Sequence, residues 1–444
     1  MKYLKIYSLA LLALFAISCE DKLEIEPRQS ISGDFAVTSE DNLENILIGT
    51  YDEAGQDESY GGQLQMIADL LGAGDIIDWG GTFLDPRQIK NKQILTDNGF
   101  VAGYWNNAYE TINQANLIIN NIDIVTSDPA KKDRIEGEAK FLRALTYFDL
   151  IRHFGSGATG VPMRTEGILD YSGDLGIGRG TTAEANALIL ADLQDAVSKL
   201  PETNSFFADK YSAQALLARY YLQQGDFAGA RDAAHDVIMN SGHALMGSFP
   251  AAFNHDSDEA EDVFAFQVTS QTGDNDLINH YASEGNGGRG GDISINTTYQ
   301  ALFDDLNDVR ASFNYISPQT GEPLTSKYTN QFGNIILIRL AEMHLIRAEA
   351  NFELGTSVGM DPLTELNAVR ARSTSVALVG PVTKDMILRE RVLELAFEGL
   401  SIHDVVRTQG SVDGFAWNAQ ELTLPIPQSE IDTNPMAEQN PGYN

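Results

Sequence analysis

Trp79 stands in GAGDIIDWGGTFLDP, between Asp78 and the pair Gly80-Gly81, where no helical stripe accounts for it. An aromatic ring among carboxylates suits a sugar. The C–H face of a pyranose lies on the ring, and its hydroxyls pair with planar polar side chains. Trp79 is therefore expected to stack on a saccharide, with Asp75 or Asp78 accepting from its hydroxyls. The competing reading is a loop tryptophan pinned on the scaffold. A second stretch, DNDLINHYASEGNGGRGGDISIN, offers Asn279, His280, Tyr281 and Arg289 as polar partners, on a backbone that glycines allow to approach closely. Tyr281 fits a core position equally well.

Other chemistries find weaker support. Gly285, Gly287 and Gly290 form G-x-G-x-x-G. A dinucleotide site needs that pattern between a buried strand and a helix, and here HYASE precedes it and a polar loop follows. A flexible loop beside the ligand is the expected reading. The seven histidines, His153, His344 and His403 among them, fall mostly in helical patterns, with no H-E-x-x-H and no Cys/His cluster. No G-x-S-x-G elbow is present. Carboxylates are too many for counting to exclude a glycosidase pair. However, Glu136, Glu138, Glu342, Glu349 and Glu398 read as helix-packing or surface groups. The acidic run DSDEAED lacks the Gly-punctuated loop of a calcium site. No catalytic residue, cofactor or metal ligand is expected. Trp105 lies on a helix's apolar stripe and Trp417 leads into the tail, so both are expected to be packed.

The elements that must position these groups are mainly helical. Trp105, Ala108, Ile112, Ala115, Ile119 and Ile122 recur at steps of three and four, as do Ile135, Ala139, Leu142, Leu145, Phe148 and Ile151. The second run stops at Gly155, and a turn at Asp128-Pro129 joins the two. QALLARYYLQQGDFAGARDAAHDVI carries Ala218, Tyr221, Gly225, Phe227, Ala230 and Ala234 at the spacings of a tetratricopeptide repeat. A looser copy follows at Ala348 and Gly355, and the pair at 104–154 and the helix at 182–199 are candidate degenerate copies. Between these helices, residues 56–103 and 243–334 are rich in Gly, Asn, Asp and aromatics, with strand-like pieces DVFAFQV and NIILI. Long insertions on a rigid scaffold are where binding groups usually sit.

The formal net charge is −33, with 43% apolar residues. That composition is globular, and the field repels nucleic acid and tilts the ligand toward a neutral glycan. The one cysteine, Cys19, excludes an internal disulfide. It follows Lys2, Lys5 and an apolar run too short to span a bilayer, the layout of a secretory signal over 1–18. Ala16-Ile17-Ser18-Cys19 resembles a bacterial lipobox. That resemblance implies an acylated Cys19 as new N-terminus, a tether over 19–40, and one domain over 41–444. The acidic Glu20-Asp21 looks like the signal that sends lipoproteins to the exterior face of the outer membrane.

Several stretches together resemble the SusD/RagB family of outer-membrane nutrient-binding lipoproteins. They are YWNNAYETINQANLIINNID, EAKFLRALTYFDLIRHFG with GVP, YSAQALLARYYLQQGDFAGA, LIRLAEMHLIRAEANFELG with LNAVRARS, ILRERVLELAFEGLSIHDVVR and the tail LPIPQSEIDTNPMAEQNPGY. The departure is Ser401-Ile402, where the family has an Arg followed by an aromatic; one structural ion pair should be missing. The resemblance implies a mainly α SusD-like fold, in which four tetratricopeptide-like helix pairs (mainly within 104–241 and 335–372) back an irregular ligand-binding half with a few short strands. It also implies ligand contacts drawn from the early and middle insertions. The implied function is binding without cleavage, as a lid on a SusC-like TonB-dependent transporter. Peptide import of the RagB type, a glycoside hydrolase and a pure tetratricopeptide adaptor are the alternatives.

Overall fold

The computed structural model describes residues 37–269, 275–305 and 307–443. The signal segment, Cys19 and nearly all of the tether lie outside them. Helices α1 (Glu40–Ala54) and α2 (Gln63–Gly72) come first. The helices α3 (Gly99–Asn120), α4 (Pro129–Phe154), α5 (Thr182–Lys199), α6 (Lys210–Gln224), α7 (Phe227–Asn240), α8 (Leu340–Leu354) and α9 (Pro362–Arg370) follow. Leaving α2 aside, each packs on the next from α1 to α9, so eight helices form four successive pairs.

Local chemistry sets their ends. Asp128 caps α4 by accepting from the Ala130 N–H at 2.9 Å, with Pro129 in the first turn. Thr181 and Glu184 form a reciprocal capping box on α5. Gly225 (φ 74°) ends α6 in the left-handed conformation that a side chain would strain. Buried Ala213, Ala215 and Ala218 on α6 face buried Ala230, Ala233 and Ala234 on α7, and these small residues let the axes close up.

Forked ion pairs then lock pair to pair. Arg143 of α4 holds Asp192 of α5 through two contacts at 2.8 Å. Arg219 of α6 holds Glu342 of α8 at 2.9 and 2.6 Å. Arg347 of α8 reaches Glu365 of α9. Such forks are geometrically specific, and removing one partner from a buried pair costs about 3–5 kcal/mol. Glu138, Glu342 and Glu349 are indeed buried packing groups on helices. Glu398 departs from the expectation: it sits on a turn between Phe397 (φ 71°) and Gly399 (φ 77°), where it receives Arg339 at 2.8 and 2.9 Å.

Four of the short strands position the insertions. β1 (Ile77–Trp79) pairs antiparallel with β3 (Ile293–Ile295), and β2 (Asp262–Phe266) pairs antiparallel with β4 (Ile335–Arg339). The strand-like DVFAFQV and NIILI thus pair with each other. At the end of β4, Arg339 binds Glu261 at 2.6 Å and Glu394 at 3.0 Å, and Arg372 pairs with both acids. Glu261 and Asp262, from the acidic run DSDEAED, belong to this packing. Ser401 donates to Asp69 at 2.9 Å in the core. Asp69 otherwise accepts from Gly399 N–H and the Tyr281 hydroxyl, both at 3.1 Å, and burial pushes its pKa up to about 6. Among the described residues no helix is long and apolar enough to cross a membrane.

Candidate functional site

The β1–β3 ladder brings the two candidate stretches together. Trp79 lies opposite Ile293, and Gly80 N–H continues the pairing by donating to the Asp292 carbonyl at 2.7 Å. Alternation along β1 buries Ile77, exposes Asp78 and leaves Trp79 half-buried. Asp78 accepts from Asn296 Nδ2 at 2.7 Å across the ladder. Gly81 is the pivot: a Cβ there would sit 2.6 Å from both the Trp79 ring and Asp292 Oδ1. The indole and the carboxylate therefore flank a position that admits no side chain.

The Trp79 ring is held rather than free. Its Nε1–H donates to the Phe83 carbonyl at 3.2 Å, and the ring rests 5.6 Å from that of His280. Phe83 and Phe100 approach the same imidazole at 6.1 and 5.9 Å. Phe83 remains 40% exposed, and the Arg289 guanidinium lies over its ring at 3.8 Å. Arg289 is also 3.8 Å from Asp292, whose other contact is His280 Nδ1 at 2.9 Å. The Trp79 side of the ladder thus carries two aromatic rings, a planar cation and the largely buried Asp292 carboxylate, while Asp78 points to the opposite side.

The candidate residues do not all share it. Trp79 and Arg289 contribute directly, whereas Asp78 lies on the opposite side of β1, held by Asn296. Asp75 is exposed on the one-turn 3-10 helix before β1, in the field of Lys92 rather than of Arg289. Asn279 contributes through its backbone, its carbonyl accepting from Arg289 N–H at 3.0 Å, while its side chain is held by Asp276 at 2.5 Å. His280 and Tyr281 are corrected. His280 is 2% exposed and forms the support beneath the aromatic rings. Tyr281 is 1% exposed, with its hydroxyl on Asp69 and its ring against Tyr328 and Phe397. Both point inward because they lie on the inner side of the short helix Asp276–Tyr281.

The glycine run is packed only in part. A Cβ at Gly288 would meet the Ala282 carbonyl at 2.2 Å, and one at Gly291 (φ 87°) would meet Leu324 at 2.3 Å. Of the three glycines in the G-x-G-x-x-G pattern, Gly285 has open space around its Cβ position, Gly290 meets only Gln319 at 3.6 Å, and Gly287 meets the Gln331 side chain at 2.9 Å. Phe83 and Asp292 were not singled out in the sequence. Phe83 lies in the same quoted stretch as Trp79, four residues on, and that spacing was the available signal. Trp105 is buried as expected, whereas Trp417 is 36% exposed.

Among the described residues, Asp149, His153 and His403 are grouped closely enough to hold a metal ion. The Asp149 carboxylate already accepts from Tyr60 at 2.8 Å and pairs with Arg152. Burial pushes the His153 pKa down to about 4 and that of His403 well below its usual value. With its carboxylate already engaged by Tyr60 and by the Arg152 guanidinium, the group reads as a polar core rather than a cation site.

The chain matches the family model described as "SusD family" over residues 198–423, and one described as "Starch-binding associating with outer membrane" over residues 22–222. It belongs to the SusD/RagB family. It is similar to the SusD-like protein P2 of Formosa agariphila, 27% identical over 514 aligned positions that cover all of both chains. To the starch-binding protein SusD of Bacteroides thetaiotaomicron it is 30% identical over 207 residues, 42% of this chain and 36% of the other. A solved structure of a putative sugar binding protein from Bacteroides vulgatus superposes with a TM-score of 0.82 at 25% identity, covering 92% of this chain and 100% of that one. The expected mainly helical SusD-like fold holds.

Proposed function

We propose that this protein is a cell-surface lipoprotein that captures an oligosaccharide on the Trp79–Phe83–Arg289 face. It then delivers the sugar, as a lid, to a SusC-like TonB-dependent transporter in the outer membrane. The observation that carries the binding role is the β1–β3 ladder, which sets two partly exposed rings beside Arg289, with Asp292 beneath it and Asp78 exposed on the other side of the strand. Sugar C–H faces stack on such rings, while carboxylates accept from hydroxyls and the guanidinium donates to ring or hydroxyl oxygens. The starch-binding and sugar-binding descriptions of its relatives support the ligand class. The family description of outer-membrane association supports the location. Anchoring through acylated Cys19, within a signal segment of 1–18 and a tether of 19–40, completes the reading; several acyl chains hold far better than one. Binding without hydrolysis is the expected activity.

Affinity electrophoresis of the protein through gels holding neutral and charged polysaccharides tests the ligand class. Retardation by a neutral polymer, strongly weakened in Trp79→Ala, is the expected result. No retardation by any polymer, together with capture of peptides from a defined pool, would replace this reading with peptide import. Co-purification with a TonB-dependent transporter from the outer-membrane fraction tests the lid role.

A further inference from the structure

A second aromatic recess, of about 210 Å³, lies between α3, the segment 162–175 and the tail. It shares no lining residue with the Trp79 face. Phe100, in the first turn of α3, belongs to that face, whereas Glu110 and Asn113 line the recess ten and thirteen residues on, about 15–20 Å along the axis. Its floor is formed by Trp105 and Tyr109, whose rings lie 4.9 Å apart.

Its wall is built rather than incidental. Asn113 Nδ2 donates to the Tyr171 hydroxyl at 2.8 Å and to the Ile168 carbonyl at 3.1 Å, and its Oδ1 accepts from Ile168 N–H at 2.7 Å. Tyr171 is thereby fixed, although its side chain is 59% exposed. A ring held by its hydroxyl and open on its face is preorganised for stacking. Arg164 is equally set: its Nη2 donates to the Leu175 carbonyl at 2.5 Å, and its backbone N–H and carbonyl both engage the Tyr147 hydroxyl at 2.7 and 2.8 Å. Exposed Glu110 stands within electrostatic reach of Tyr171. Glu430 lines the opposite rim, bonded to Asn434 at 2.7 Å.

We propose that this recess is a second saccharide subsite, taking one or two neutral sugar units on Tyr171, with hydroxyls paired to Glu110, Arg164 and Glu430. The inference rests on the glycan reading of the protein and adds a site to it. Two carboxylates against one guanidinium disfavour an anionic ligand, and a purely apolar ligand would strip water from three charges without replacing it. The volume lies below the ~300–1,000 Å³ of drug-sized ligand sites, which limits the occupant to a short saccharide.

The test uses the full chain and six proteins: wild type, Trp79→Ala, Tyr171→Ala, Glu110→Gln and the double variants Trp79→Ala/Tyr171→Ala and Trp79→Ala/Glu110→Gln. Each is titrated with maltohexaose and laminarihexaose by calorimetry, with hydrogen exchange followed over residues 164–175. The substituted residues are exposed or half-buried, and thermal melts verify that each variant is folded. The expected result is that sugar slows exchange over 164–175 in wild type and in Trp79→Ala. Tyr171→Ala should remove that protection and weaken the residual binding of the Trp79→Ala background at least fivefold, and Glu110→Gln should weaken it less. Binding lost in Trp79→Ala and indifferent to Tyr171→Ala would overturn the second subsite and leave the first. Binding that survives Trp79→Ala and disappears in Tyr171→Ala would support the second and overturn the first. No binding of either hexaose to wild type would overturn both.

Discussion

The helical half and the ligand-facing half use the same ionisable side chains to opposite ends. Between helices, Arg143, Arg219 and Arg347 are buried and forked onto carboxylates. On the β1–β3 ladder, Arg289 is 38% exposed and lies on a phenyl ring, and Asp78 is exposed on the other side of the strand. A buried fork cannot exchange its partner for a ligand without a large penalty, whereas an exposed planar group exchanges water for a sugar hydroxyl at little cost. The chain has 30 Lys and Arg against 63 Asp and Glu. Committing so many arginines to the interior leaves the outside more acidic still, so an exposed arginine beside aromatic rings is a local exception in a repelling field. The difference teaches that burial, not residue type, separates scaffold from site here.

The comparison is broken most severely at Glu394. Burial raises its pKa, but Arg372, Arg339 and Arg310 outweigh that and hold it down to about 2. Glu394→Ala would leave three guanidinium groups facing one another without their shared partner. The expected loss is on the order of 3–5 kcal/mol of folding stability, read from urea denaturation, or failure to fold. Because the folded pKa lies below the ordinary glutamate value of 4.5, the stabilisation by Glu394 is present above about pH 4.5 and fades as pH falls toward 2. A Glu394→Ala protein with wild-type stability at neutral pH would show that the network is ornamental.

Asp69 is the next test, because it is equally buried and its hydrogen-bonding partners are all neutral. Ser401, the Tyr281 phenol and the Gly399 amide are its donors, so the carboxylate rests on uncharged groups alone. Its folded pKa, about 6, exceeds the ordinary aspartate value of 3.8, so the folded state holds the proton more tightly. The contribution of Asp69 is therefore favourable below about pH 4 and is lost as pH rises through 6, the opposite slope to that of Glu394. A rise of that size corresponds to about 3 kcal/mol. Asp69→Asn should raise stability at pH 7 relative to wild type and remove the difference near pH 4. Urea midpoints of the two proteins across pH 4–7 would check this, and parallel profiles would refute it.

The helical scaffold was readable because a helix writes its buried face into steps of three and four within twenty residues. Ile135 to Ile151 is one such stripe, and the structure buries it. The site was only half readable. Ile77 and Ile295 are register partners 218 positions apart, and nothing local to either announces the pairing. Trp79 and Arg289 were found by residue type and loop context, but the same criteria also selected Asp78, His280 and Tyr281. The last two lie on the inner side of a six-residue helix too short to show a period. The glycines are ambiguous for a related reason: a residue without a side chain signals close packing as readily as open space, and the neighbours give the first at Gly288 and Gly291 and the second at Gly285. Phe83 shows neither a helical nor an alternating pattern, and only its place four residues after Trp79 points to it.

Trp79→Ala sharpens the comparison from the other side. The ring is half-buried and central to the face, so its loss should weaken glycan binding by about 2 kcal/mol, roughly thirtyfold, as for a central aromatic anchor. Folding stability should change far less than for Glu394→Ala. Calorimetric titration with the polymer identified by electrophoresis, paired with a thermal melt, separates the two effects. A variant that loses stability and binding together would place Trp79 in the scaffold.

Arg289 carries the smallest expected effect and the finest distinction. Its guanidinium over Phe83 is an exposed cation–π contact of about 0.5–1 kcal/mol, and it helps to fix a ring that is otherwise 40% open. If the plane of the group matters, by keeping Phe83 in place and offering paired N–H donors to the sugar, Arg289→Lys should lose nearly as much affinity as Arg289→Ala, each about fivefold. If charge alone matters, the lysine should bind like wild type, because an ammonium supplies the same field without the plane. Equal affinities for all three proteins would mean that Arg289 merely covers the ring, and that the platform ends at Trp79. The carboxylate of Asp292 stays bonded to His280 in every case, so the comparison reads the guanidinium without disturbing the support beneath it.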